Sequence, residues 1–259
     1  MKFAAETLAL GVISEKQWRA DSVARLFLCI LTTLSFGLCL DAGLQSDKIG
    51  LTEDQRGLAQ LAVMTLFFHV ASLVWIWFFL REIPMPWSEA FGLESFRRGK
   101  AVRWGAAGAA LFLPAAWALQ GLSGYLIELA TRQKAEQQEL VQELQKAGMP
   151  WGEQVFVGML AVLIAPVAEE VLFRGVLYPS IKQSGFPRTA LWVTSLLFAT
   201  MHFNALSFVP LTVFSLVLIF LYEKTGSLWA SITAHSLFNF TNFLCATLSA
   251  GAGHPMPVR

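Results

Sequence analysis

Apolar positions gather into seven long runs separated by short polar stretches, near residues 22–44, 57–80, 104–128, 154–179, 189–204, 205–222 and 228–250. About 17–25 apolar residues let a helix cross the hydrocarbon core of a bilayer, so the pattern predicts an all-α polytopic transmembrane bundle of about seven to eight spans. The fifth and sixth runs are short, and the Asn204–Ser207 region alone separates them, which predicts a tight hairpin. Residues 129–147 break the pattern: they are rich in Glu, Gln, Lys and Leu and stop before Gly148-Met149-Pro150, as a solvated helix outside the bilayer would. No repeat is visible. The chain reads as one integrated membrane domain in which residues 1–149 supply spans and the polar helix, and residues 150–250 form a helix bundle that carries the chemistry.

Composition agrees with the pattern. With 55% hydrophobic and only 14% charged residues, a 259-residue chain is too apolar for a soluble domain. Net charge is +1 and no block of like charges occurs, which leaves neither a nucleic-acid footprint nor a polybasic lipid patch. The partners are therefore expected in the lipid bilayer. Lys and Arg in alternate connections number 12 on one side and 6 on the other, which places the N-terminus in the cytoplasm. Lys2, Glu6, Glu15, Lys16 and Arg19 precede the first run without a cleavage site at signal-peptide distance, so that span is expected to be retained. Cys29, Cys39 and Cys245 have neither ligand spacing nor a disulfide framework.

Three charges change the picture. Between Gln154 and Tyr178 the only formal charges are Glu169, Glu170 and Arg174, each costing about 2.5–3.5 kcal/mol at a helix centre. Glu170 and Arg174 are four apart, with the acid on the favourable N-terminal side, and can neutralise each other within one helix. Glu169 lies ~100° away around the helix and is the carboxylate left over. Pro166, a turn earlier, kinks the helix and loosens packing there. Two more runs bring imidazoles to overlapping depth: Phe198 and His202 are four apart, as are His235 and Asn239. Intramembrane ionisable groups normally face a polar cavity and mark function, so Glu169, His202, His235 and Asn239 are expected to line one site. His69 is assigned to packing, and His254 lies in the tail.

The ordered set Glu169-Glu170-xxx-Arg174, Phe198-xxx-His202, His235-xxx-Asn239 resembles the CAAX protease family, also called CPBP or Abi, over about residues 150–245. The resemblance implies an intramembrane endopeptidase acting on a membrane-associated or lipidated protein, in a multi-pass prokaryotic inner-membrane protein. It further implies that Glu169 and His202 activate a water, that His235 and Asn239 stabilise the oxyanion, and that Glu170, Arg174 and Phe198 support them. A rival mechanism puts Zn²⁺ on Glu169, His202 and His235, a His₂Glu set with one position open for water. The metal-free glutamate mechanism is preferred, and no HExxH helix is present.

Other classes compete. Gly121-Leu122-Ser123-Gly124 matches the short signature of rhomboid serine proteases, with Ser123 as nucleophile and His235 or His202 as base. That reading leaves the three charges unexplained. A transporter would also use buried acids and histidines, but an internal repeat is missing. A non-catalytic immunity or scaffold protein would keep the same fold for binding.

Overall fold

The computed structural model describes residues 18–83, 85–144 and 149–251, so Lys2, Glu6, Glu15, Lys16 and His254 lie outside the described residues. Among those described, every regular element is a helix. In chain order they are α1 (Ala20–Leu44), α2 (Glu53–Arg81), α3 (Trp87–Ala90), α4 (Ser95–Thr131), α5 (Glu139–Leu144), α6 (Trp151–Gln183), α7 (Pro187–Thr200), α8 (Ala205–Thr225) and α9 (Leu228–Gly251).

Local chemistry sets the ends. Thr52 caps α2 through a capping box with Gln55. Asn204 accepts the Ser207 N–H at the start of α8, and α8 ends on Gly226 in the left-handed conformation. At Gly92 a Cβ would lie 1.9 Å from the Gly226 carbonyl oxygen, so the α3–α4 turn can touch the α8–α9 turn only with glycine at 92.

Five helices, α1, α2, α4, α6 and α8, are long and apolar enough to cross a membrane. Two of the seven expected spans fall outside that set, each for a physical reason. Helix α7 has 14 residues, about 21 Å of helix against a hydrocarbon core of about 30 Å. It stops at Thr200 because Asn204 begins the next helix. Helix α9 has the length, at 24 residues, but His235, Asn239 and Asn242 dilute its apolar character. The polar helix expected over 129–147 divides: α4 runs to Thr131, Arg132 turns left-handed at φ 58°, and α5 is a separate short helix.

The core sits between α4, α8 and α9, where Phe112, Phe214 and Phe238 stack with centroids 5.1 and 4.3 Å apart along the row. Gly105 permits the α4–α9 crossing, since a Cβ there would meet the Ala230 carbonyl oxygen at 2.3 Å. Helix α1 is peripheral, with 17% of its most apolar stretch buried against 61% for α8. A smaller apolar cluster, Leu144, Val157 and Ala246 with Val141 and Leu58 against it, seats α5 on the ends of α2, α6 and α9.

Candidate active site

Helix α6 is not a regular α-helix. Residues Leu160–Ile164 and Val171–Leu177 are π-helical, with N–H groups reaching back five residues instead of four. Two prolines follow these turns and leave carbonyls without a backbone donor. Pro166 stands where the donor to Ala161 would be, and Asn239 of α9 supplies its Nδ2–H instead, at 2.8 Å. Near Pro179, Trp18 donates its Nε1–H to the Gly175 carbonyl four residues earlier, at 3.2 Å. The breaks in α6 are thus mended by side chains from other parts of the chain.

Glu170 and Arg174, both wholly buried, form the expected i,i+4 pair at 2.8 Å. Arg174 also donates to the Ser215 hydroxyl at 2.7 Å, and its guanidinium lies 4.5 Å from the Phe198 ring centroid. The same Glu170 oxygen meets His235 Nδ1 at 2.9 Å. That bond turns His235 Nε2 toward Glu169, whose Oε2 lies 3.9 Å away. Phe198 packs between the two imidazoles, its centroid 5.0 Å from His202 and 5.6 Å from His235.

Glu169 has different neighbours. Its side chain is 11% exposed, and its Oε1 is 3.1 Å from Nε2 of His69, on α2. Its Oε2 is buried without a hydrogen-bond partner. Glu170 Oε2 is equally unpartnered, but it belongs to a carboxylate already neutralised by Arg174. His202 lies just past the end of α7 in a turn rather than on the helix, because Phe203 takes a left-handed φ of 45° and Asn204 caps α8. Its Nδ1 still reaches the Phe198 carbonyl at 2.8 Å, capping α7 and leaving Nε2 for the site. His202 is near enough to Glu169 and His235 to interact with their charges.

Residues 151–241 match the family described as type II CAAX prenyl endopeptidase, Rce1-like. This segment is of the CAAX protease family. A stretch of 84 residues is also 43% identical to the uncharacterized protein YpbD of Bacillus subtilis (strain 168), covering 31% of this chain and 40% of that relative. The match spans less than half of either protein. No solved structure matches the chain. The CAAX protease segment takes in α6, α7, α8 and the first half of α9, and leaves α2 with His69 outside it. Apolar helices around a membrane-protease segment make the chain an integral membrane protein.

The zinc alternative fits the donor types but not their arrangement. The donors have suitable chemistry, since His235 and His202 each anchor Nδ1, and His235 turns Nε2 toward Glu169. Among the described residues, however, no three His, Cys, Asp or Glu side chains converge closely enough to hold a metal ion. Glu169, His202 and His235 are not assembled as a ligand set. Ser123 is buried in α4, while His235 and His202 direct Nδ1 to Glu170 and Phe198. Among the described residues Ser123 hydrogen-bonds to neither imidazole.

The sequence reading missed His69. The available signal was its own rule: an ionisable group in an uncharged apolar run faces a polar partner.

Proposed function

We propose that this chain is an intramembrane endopeptidase of the CAAX protease type, with Glu169 as the general base. In this reading Glu169 Oε2 takes a proton from a water that His202 Nε2 helps to orient. The water oxygen adds to the peptide carbonyl carbon, and the negative charge moves to the carbonyl oxygen. His235, oriented by its Nδ1 contact with Glu170, offers Nε2–H to that oxygen, and Asn239 has a second amide proton beyond the one given to Ala161. Collapse of the intermediate breaks the C–N bond, and Glu169 returns its proton to the leaving amine. Glu170, Arg174, Ser215 and Phe198 act as scaffold.

The observation that supports this most is the state of Glu169. It is a buried carboxylate with one open oxygen, imidazoles as its near partners, and a permanent cation pledged to its neighbour instead. The substrate class that suits the site is a protein held at the membrane by a lipid or a short tail, for which a prenylated C-terminal peptide is the case named by the matched family. The catalytic bundle is assigned to residues 150–250, with residues 1–149 completing it, in a cell membrane with the N-terminus inside.

The test requires no prior substrate. Membranes from cells expressing the wild-type protein or Glu169→Gln are compared for protein termini by mass spectrometry. Termini that appear only with the wild-type protein support the reading. Identical sets, with both proteins present at equal level, would sink it in favour of a binding or transport role.

A further inference from the structure

We propose that His69 is a positioning residue for Glu169: its Nε2–H holds Oε1 so that Oε2 stays turned toward the reacting water. This rests on the reading of Glu169 as general base. His69 lies on α2, about a hundred residues before Glu169 and outside the segment that matches the protease family.

The local fold delivers it. Thr65–Val70 is a π-helical turn within an otherwise α-helical α2, and the extra residue rotates the side chains beyond it relative to those before. His69 is the fifth of its six residues, and Phe68 packs edge-on against its ring, with centroids 5.0 Å apart. The imidazole has little room to turn. At 16% exposure it meets Glu169, at 11%, across 3.1 Å. Among the described residues its Nδ1 has no hydrogen-bond partner, so Nε2 is the nitrogen that holds the carboxylate, as donor to Oε1.

The consequence for Glu169 is geometric. A carboxylate tied by one oxygen cannot swing, and its other oxygen keeps one direction. Without the tie, the carboxylate can rotate onto His235 Nε2, 3.9 Å from Oε2, and that contact would occupy the oxygen the water needs. A misplacement of about 1 Å in a catalytic group lowers rate by up to about 100-fold. What matters is a donor at this place. Glutamine can supply one and phenylalanine cannot.

The test uses full-length protein in membranes with wild type, Glu169→Gln, His69→Phe and His69→Gln. The readout is turnover of a synthetic peptide spanning a terminus that membranes with the wild-type protein, and not Glu169→Gln, generate. The expected result is a kcat about 10- to 100-fold lower for His69→Phe with KM unchanged, and recovery to within about threefold of wild type for His69→Gln. In detergent, the melting-temperature losses of His69→Phe and Glu169→Gln should be non-additive in the double variant, as for residues in contact. Glu169→Gln inactive beside a fully active His69→Phe overturns this inference and leaves the proposed function standing. Equal impairment in His69→Phe and His69→Gln, or additive melting losses, also overturns it. If cleavage does not depend on Glu169 at all, the proposed function falls first and this inference with it.

Discussion

Glu169 and Glu170 are consecutive residues on one helix, yet they live in opposite surroundings. Glu170 is wholly buried and tied to Arg174 and His235, with Ser215 and Phe198 completing the guanidinium's contacts. Glu169 keeps a little exposure, and its close partners are imidazoles from α2 and α9. The guanidinium cannot give up its charge, whereas an imidazole exchanges a proton readily. One carboxylate is therefore held by a permanent cation and serves as a strut. The other is surrounded by groups that can trade protons with it. His235 touches both environments, so the strut also orients the imidazole that faces Glu169.

The comparison breaks most sharply at Glu169. Replacing it with Gln should lower Glu169-dependent cleavage by about 100-fold or more, with the membrane level unchanged, as quantified by termini mass spectrometry and immunoblot. Arg174→Ala attacks the strut instead. It strands Glu170 in the interior, should destabilise the fold by about 3–5 kcal/mol, and should reduce folded protein in a thermal unfolding assay. Activity per folded molecule is the sharper readout there, since Arg174 touches Glu170 rather than Glu169. A smaller effect is expected at Asn239→Leu, which leaves the Ala161 carbonyl without a donor and should cost about 1–3 kcal/mol in the same assay. Ser123→Ala should leave turnover at the wild-type rate, and a loss of cleavage with that variant would revive the serine reading.

Local spacing made part of this legible. The Glu170–Arg174 bridge follows from a four-residue interval, and Phe198 and His202 still meet although His202 lies in the turn after α7. Long apolar runs likewise announce α1, α2, α4, α6 and α8. What stayed hidden depends on departures from α-helical register. The π-helical turns at Thr65–Val70, Leu160–Ile164 and Val171–Leu177 reorient side chains in ways that a 3.6-residue count does not anticipate. Hence His69 looked like packing, and the bond between His235 and Glu170 was invisible. The end of α7 was misplaced because Phe203 adopts a left-handed conformation that bulky residues rarely choose. Pro166 was legible as a break, but the donor that repairs it comes from 78 residues away.

The breaks in α6 also bear on the order in which the chain is made. When this helix enters the membrane, α8 and α9 have not yet followed it there, so Ser215 and His235 cannot receive it. Arg174 arrives on the same helix as Glu170 and can neutralise it at once. Glu169 has no such companion on its own helix, but α2 is already in place, and His69 is waiting there to accept its first contact with the carboxylate. The residue that the mature site holds against Glu169 is thus also the earliest partner that acid can find during synthesis.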